Sequence, residues 1–559
     1  MDTRPPASLR RALPRSWGTV LRHPHFGALS AGALAATGFQ PLGWWPATIL
    51  AIGWLLTLVD HAPRASQAFF LGWLFGVSHF TVGDNWIATA FTYQAEMPAW
   101  LGAIAVVLLS LYLALFPALA TLAAWLVARG TWRRQRAAEP PRSAPIGFAL
   151  AGAWIVTEWM RAWVFTGFAW NPLGVALLGG FDAQGLALLT PWIGTYGLSG
   201  VVVLIAALLR WLVWEGRHNH GGARIGWLVG AAALAAALAV QMALPASYLA
   251  RAEGEIRYTL IQPDLRQETL EDPRNFEPHF LKMARLSLPE RRGDTRLVLW
   301  PESGLPDYLR DGYPDYLYRE TTYAADPQLA RERIGQVIGP YSLLMTGAVD
   351  LVLQDEKVLA TRNSVTMIDW HGNILGGYSK AHLVPYGEYL ALRWLLEPLG
   401  AARLVPGTLD FWPGPGPRTF DFGVLGKAGV QICYEMVFSG HVVDPQERPD
   451  YIFNPSNDGW FGSWGPPQHL AQARLRAIEE GLPVLRSTTT GISAVIDADG
   501  LVRAFVPRHT AGRLDGRVPP AHEPTPFARL GNALPLALAM LLMVASVVAR
   551  GRRRAYPGS

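Results

Sequence analysis

The chain has a single cysteine, Cys433, in 559 residues, and only four lysines beside 44 arginines. One thiol excludes any internal disulfide and any Cys-based zinc or iron–sulfur centre. Charge is also scarce: 16% of residues are Asp, Glu, Lys or Arg, against about 25% in an ordinary soluble protein. Half the residues are hydrophobic and the mean hydropathy is +0.17, which excludes a simple cytosolic enzyme. The 56 glycines and 43 prolines are scattered without period among Leu, Val, Phe and Trp, so the chain is neither collagen-like nor disordered. The net charge of +5 sits at the ends of apolar runs. That pattern orients a membrane protein, and no basic, aromatic-interleaved stripe for nucleic acid competes with it.

Candidate spans are Phe26 to Gly43, Trp45 to Val59, Ala68 to Val82, Trp100 to Ala128, Ile146 to Val164, Pro191 to Leu209, Ile225 to Leu244 and Leu530 to Val548, about eight in all. The second and third are short for a hydrocarbon core of about 30 Å, and one of them is a candidate re-entrant segment. Arg10, Arg11, Arg15 and Arg22 precede the first span; Arg129, Arg133, Arg134 and Arg136 follow the fourth; Arg210, Arg217 and Arg224 follow the sixth; Arg550, Arg552, Arg553 and Arg554 close the chain. The alternate loops Gly83 to Pro98 and Phe165 to Thr190 contain no Lys or Arg. Both termini are therefore expected in the cytoplasm of a multi-pass inner-membrane protein. A cleaved leader ending near Ala33-Leu34-Ala35 is the alternative for the first span, although the apolar run continues to Trp44-Trp45 and the later topology is unaffected.

This organisation divides the chain into an N-terminal transmembrane region (1–250), an extracytoplasmic domain (251–520) and a last span with a basic tail (526–559). The middle part changes period. Short β-rich runs recur at Ile256 to Gln262, Leu297 to Trp300, Leu343 to Val349, Ser364 to Asp369, Gly429 to Cys433, Tyr451 to Phe453 and Ser493 to Ile496. Helix-like stretches lie between several of them, at Glu277 to Leu286, Gln328 to Val337 and His469 to Glu480, which predicts an α/β or layered sandwich domain.

Three segments end apolar strands and present reactive groups where an α/β sheet usually builds its site. They are LVLWPES (Leu297 to Ser303), YSKAHLVPYGEY (Tyr378 to Tyr389) and GVQICYE (Gly429 to Glu435), offering Glu302, Lys380 and Cys433. A lone cysteine is usually an inert core residue, but an unpaired thiol facing an oxidising compartment at a strand end points to reactivity. Glu302 is as ordinary a strand-end carboxylate as it is a catalytic one, with Pro301 stiffening its approach. Where arginine supplies most of the positive charge, a retained Lys380 suggests a compact, tunable ammonium.

With these motifs in order over nearly the whole chain, together with EWMRAWVFTGF (Glu158 to Phe168), NPSNDGWFG (Asn454 to Gly462), RLRAIEE (Arg474 to Glu480) and RSTTTGISAVI (Arg486 to Ile496), the sequence resembles the bacterial apolipoprotein N-acyltransferase family. In that family the extracytoplasmic domain belongs to the nitrilase, or carbon–nitrogen hydrolase, superfamily. The resemblance implies a membrane α-helical bundle with an α-β-β-α sandwich, a Glu302, Lys380 and Cys433 triad, and supporting roles for Glu388, Tyr434, Glu435, Asn363 and the loop aromatic Phe461. Glu388 and Glu435 are equally open to a purely structural reading, and Asn457-Asp458-Gly459 to being only a turn. Leu270 and Glu271 stand where the family often has a Trp, and Thr489 and Thr490 where some relatives have Asn.

The expected chemistry is two-step acyl transfer through a Cys433 thioester, with Glu302 as general base and Lys380, with a backbone N–H near Tyr434, facing the oxyanion. By resemblance, the donor is a phospholipid of the bilayer and the acceptor a diacylglyceryl apolipoprotein; no cofactor or metal is implied. The apolar segment Leu390 to Leu399 is either a buried helix or part of what excludes water. Alternatives are a membrane-tethered amidase, a transporter using Glu158 and Arg161, whose i, i+3 spacing also fits a local ion pair, and a Cys–His pair with His382 or His469. His218-Asn219-His220 reads as a solvated loop.

Overall fold

The computed structural model describes residues 23–93, 98–129, 144–246, 252–290, 293–399 and 409–555. Its first part is helical: Pro24–Ala36, Trp45–His61, Ala65–Gly83, Leu101–Leu113, Leu115–Arg129, Ala144–Arg161, Thr190–His218 and Gly221–Ala243, joined at the end of the chain by Ala533–Ala555. Small residues let these helices close. A Cβ on Gly72 would stand 2.1 Å from Thr121 Oγ1 and 2.7 Å from the Pro117 carbonyl, so this contact between Ala65–Gly83 and Leu115–Arg129 admits only glycine.

Among the described residues, four stretches are long and apolar enough to cross a bilayer: Leu101–Ala128, Leu186–His218, Gly221–Ala243 and Ala533–Arg550. The expected count of about eight is not reached on length and hydropathy. Pro24–Ala36, for instance, has 13 residues, about 20 Å of helix against a hydrocarbon core of about 30 Å.

The second part contains two six-stranded mixed sheets. The first is built from β1 (Arg257–Gln262), β2 (Leu297–Leu299), β3 (Leu343–Gln354), β4 (Lys357–Asp369), β5 (Ile374–Ser379) and β12 (Gly512–Arg517), in the order β12-β1-β2-β3-β4-β5. The second uses β6 (Thr419–Asp421), β7 (Lys427–Val430), β8 (Tyr451–Ser456), β9 (Val484–Thr488), β10 (Ser493–Ile496) and β11 (Val502–Val506), in the order β11-β10-β9-β8-β7-β6. Each sheet has parallel pairs in the middle, β1/β2 and β2/β3 in one and β7/β8 and β8/β9 in the other. Central parallel strands are covered on both faces, which is why LVL and YIF read as unbroken apolar runs.

Alternation assigns each residue to a layer. Leu260, Leu299 and Met345 pack with Val430, Phe453 and Leu485 in the core between the sheets. Their neighbours Ile261, Val298 and Leu344 point the other way, onto Phe280, Met283, Ile334 and Ile338 of the helices Phe276–Ser287 and Pro327–Ile338. On the second sheet Ile452, Val484 and Ile496 face Leu470, Ala473 and Ala477 of Gly465–Glu480. The layers run α-β-β-α. β3 and β4 extend well beyond the apolar runs that mark them, as a hairpin turned at Asp355 and Glu356, both with φ in the left-handed region.

Because Leu485 is completely buried between the sheets and Val424 is 85% exposed, Leu485→Ala should cost about 2–5 kcal/mol and Val424→Ala less than about 0.5 kcal/mol. Denaturant unfolding in detergent micelles checks both values, and equal effects would contradict the layering.

Candidate active site

Three strand ends of the two sheets converge. Glu302 lies just past β2, Lys380 follows β5 directly, and Cys433 comes three residues after β7 and opens a short 3-10 turn, Cys433–Val437. Asn363, on β4, joins the two carboxylates: its Nδ2 donates to Glu302 Oε1 at 2.7 Å and to Glu388 Oε1 at 2.8 Å. The Lys380 ammonium lies between the same groups, 2.9 Å from Glu388 Oε1 and 3.5 Å from Glu302 Oε1, with its side chain 1% exposed. The other Glu388 oxygen accepts the Val384 N–H at 2.8 Å, which ties the loop 381–388 back onto itself. The Asn457 N–H donates to Glu302 Oε2 at 2.7 Å and also faces the Cys433 sulfur.

Two carboxylates share one cation here, and that decides the resting protonation state. Burial pulls the Lys380 ammonium down, but Glu388 and Glu302 outweigh it and hold the group above an ordinary lysine. Lysine is therefore a fixed cation at this site, where the sequence suggests a tunable one. Burial and the neighbouring Glu302 charge push the Cys433 thiol well above its usual value, with Lys380 opposing. The sulfur rests as a thiol. Its backbone is held at φ 49°, in the left-handed region that a side-chain-bearing residue seldom adopts.

Glu435 builds the frame around this centre. Its carboxylate accepts from Tyr378 Oη at 2.8 Å, from the Ala381 N–H at 2.7 Å and, through the other oxygen, from the Ile432 N–H at 2.8 Å. The loop bearing Lys380 and the turn bearing Cys433 are thereby pinned to one side chain. Burial raises its pKa to about 7, opposed by those donors. Tyr434 points away from the cation and donates to the Gly167 carbonyl at 3.3 Å, reaching the helical part. Phe461 is likewise drawn into an aromatic cluster with Trp86, Trp170 and His469, at the seam between the two parts.

One network has no counterpart in the sequence reading. Asp458 receives Arg486 Nη2 at 2.8 Å on each oxygen, and its Oδ1 lies 3.1 Å from His469 Nδ1. His469 Nε2 in turn donates to the Cys433 carbonyl at 3.0 Å. Burial favours neutral Asp458, but Arg486 prevails and holds the pKa at about 2. His469 thus reaches the main chain of Cys433, as a support for the turn. His382 stacks on Phe438. Asn457-Asp458-Gly459 is both a turn, with Asn457 Oδ1 capping Gly459 N–H, and part of the site.

Two family models match the chain. Residues 31–208 match the model of the apolipoprotein N-acyltransferase N-terminal domain, and residues 260–521 match that of the carbon–nitrogen hydrolase family. The apolipoprotein N-acyltransferase of Rhodopseudomonas palustris is 33% identical, the alignment covering 95% of each chain. That of Bradyrhizobium diazoefficiens is 34% identical, over 94% of this chain and 95% of its own. The chain belongs to the apolipoprotein N-acyltransferase family. A solved amidase from Nesterenkonia sp. is 17% identical, covering 48% of this chain and 92% of its own, with a TM-score of 0.32.

Within this acyltransferase, Glu158 and Arg161 do not make the local ion pair their spacing suggests. Glu158 Oε1 accepts from Trp154 Nε1 at 2.9 Å and the Leu173 N–H at 2.7 Å, and Arg161 Nη1 donates to the Phe168 and Trp170 carbonyls at 3.0 and 2.8 Å. Both hold the loop 162–173, and Gly167 of that loop is the residue that receives Tyr434.

A Cβ on Gly347 would stand 2.0 Å from the Glu302 carbonyl oxygen and 2.6 Å from its Cα, both rigid backbone atoms. Gly347→Ala must therefore displace Glu302, and a shift of about 1 Å at a reacting group costs on the order of a hundredfold in rate. Turnover of the variant against its far-ultraviolet circular dichroism tests this; a folded variant with full activity would show that the placement of Glu302 is not critical.

Proposed function

We propose that the chain transfers an acyl group from a phospholipid to the free amine of a diacylglyceryl-cysteine at the N-terminus of an apolipoprotein, through a thioester on Cys433. The observation that carries this reading is the buried Lys380 ammonium shared by Glu302 and Glu388 beside a protonated thiol. Such a site provides a base, an electrophilic cation and a nucleophile in one enclosed volume.

In the first half-reaction Glu302 takes the S–H proton as the sulfur bonds to the ester carbonyl carbon. The oxyanion that forms faces Lys380 and a backbone N–H near Tyr434; one such donor contributes about 3 kcal/mol. Collapse breaks the C–O bond to glycerol, Glu302 returns the proton to the departing alkoxide, and a lysophospholipid leaves. In the second, the amine nitrogen attacks the thioester, Glu302 accepts a proton from it, and the released thiolate recovers that proton. Asn363 and Glu388 hold the cation and base in register, and Glu435 does the same for the two loops.

Tyr434 and Phe461 support the site from the seam with the helical part. The domain from 251 to 520 faces the periplasm in this reading, both termini are cytoplasmic, and about eight helices of the region 1–250 and the segment 526–559 lie in the inner membrane. The segment Leu390 to Leu399 fits this placement. Leu390 and Ala391 are buried, whereas Trp394 is 75% exposed and Leu395 44%. An exposed aromatic and aliphatic flank beside the site suits contact with a bilayer surface, where both substrates keep their acyl chains.

Intact-mass spectrometry of the purified protein mixed with phospholipid should show one acyl adduct on the wild type and none on Cys433→Ala, discharged by a diacylglyceryl peptide with a free amine. Discharge as fast by water alone would make the protein a membrane-tethered hydrolase. The raised thiol value gives a second expectation, since the thiolate fraction stays small at neutral pH. Alkylation of Cys433 by iodoacetamide should keep accelerating above pH 9; a rate that levels off below pH 7 would mean a stored thiolate and no need for Glu302 to remove the proton.

A further inference from the structure

At the seam where the loop after the helix Ile87–Ala90 meets the sandwich, a cleft of about 80 Å³ opens near the site, with Tyr93, Arg266, Gln267, Thr490, Arg508 and His509 among its walls. It connects to the reacting groups through two residues. Gln267 Oε1 accepts Asn457 Nδ2 at 2.9 Å, and Asn457 is the residue whose N–H serves Glu302 and faces the Cys433 sulfur.

The formal charges around this cleft balance, but they are not all paired. Arg266 is paired with Asp264 at 3.3 Å, and Asp458, which also lines the cleft, is neutralised by Arg486. Glu268 contributes a carboxylate whose charge reaches Tyr93 and His509. Arg508 has no carboxylate partner among the described residues. Its Nη2 lies 3.2 Å from His509 Nε2, its Nη1 makes one long bond of 3.4 Å to the Ser463 carbonyl, and its Nε is shut from solvent without an acceptor. His509 is fixed by Thr490 Oγ1 at 3.0 Å, and that hydroxyl donates to Asp264 at 2.6 Å. A half-buried guanidinium held in this way and short of acceptors is suited to an anion with several oxygens.

We infer that this cleft binds the phosphodiester of the acyl donor, with Arg508 as its principal contact and Arg266 and His509 beside it. The inference rests on the acyl-transfer reading above and adds a subsite to it. Of the species in that reaction, only the phospholipid and the lysophospholipid it becomes carry a phosphodiester; the thioester and the diacylglyceryl acceptor do not. Arg508 should therefore matter for loading Cys433 and not for discharging it.

The test uses the full-length protein in detergent micelles and follows single-turnover thioester formation by intact mass with two donors, dioleoylphosphatidylglycerol and the phosphate-free 4-nitrophenyl oleate. In Arg508→Gln the ratio of the phospholipid rate to the oleate-ester rate should fall at least tenfold, and Arg508→Lys should recover part of it. Discharge of the oleate-loaded enzyme by a diacylglyceryl peptide should proceed at the wild-type rate. Slowing of the phospholipid reaction by millimolar inorganic phosphate would show that the subsite takes the anion from either source; a fallen ratio without such competition assigns it to the lipid-borne group. An unchanged ratio, or equal losses with both donors, overturns the inference. Absence of any Cys433 thioester in the unmodified protein overturns the acyl-transfer reading itself, and the subsite with it.

Discussion

The helix Gly465–Glu480 is the constraint on which the rest of the molecule depends. Nearly all its residues are buried, although few of them are strongly apolar. One face lies on the second sheet through Leu470, Ala473 and Ala477. The opposite face is polar and turned into the helical part: Gln468 accepts from Trp170 at 2.8 Å and donates to the Gly83 carbonyl at 3.1 Å, while Arg474 donates to the Gly179, Gly180 and Ala183 carbonyls at 2.6–2.9 Å. Glu479 accepts the Thr195 N–H and the Ser439 hydroxyl at 2.5 and 2.8 Å. Buried polar groups are tolerated only when they are matched, and here all the partners but Ser439 come from the other half of the protein. The sandwich is thus held to the bundle by directional bonds. Those bonds leave little freedom of relative orientation, and the same helix carries His469 beneath Cys433.

Much of the site is legible in the sequence because the chemistry needs unusual residues at predictable places. Glu302, Lys380 and Cys433 each follow a short apolar run, and strand ends are where an α/β sheet exposes groups. What cannot be read there depends on partners distant in the chain. Asp458, Arg486 and His469 are ordinary residues of a turn, a strand and a helix, and only the fold puts them within hydrogen-bonding distance. Phe461 is identified as a loop aromatic by its motif, yet Trp86 and Trp170 from the helical part enclose it.

The fold is legible in the same uneven way. Central strands announce themselves as apolar runs since both faces are covered. β5 carries two glycines and β9 ends in Arg-Ser-Thr, so neither has a hydrophobic signature. The helix Gly465–Glu480 has an amphipathic sequence that ordinarily means a solvent-facing polar side. That side faces protein instead, and periodicity cannot distinguish the two cases. The membrane part shows the converse: apolar runs are easy to find, but where a helix ends is set by packing, and Pro24–Ala36 is shorter than the run that encodes it.

Lysine and arginine have separate duties in this chain, and the separation follows from geometry. The seam is built from main-chain carbonyls arranged around a cation, and the planar fork of Arg474 satisfies four of them together, three from the bundle and that of Gly500. The candidate site needs the reverse, a point charge small enough to sit between two carboxylates in a volume closed to solvent. Lys380 meets that need, and its charge is what allows Glu302 and Glu388 to stay close together. A guanidinium there would retain the charge but spread it over a plane, moving Asn363 and the Glu302 oxygens apart. The geometry of the base toward the sulfur is therefore set by the size of the cation as much as by its sign.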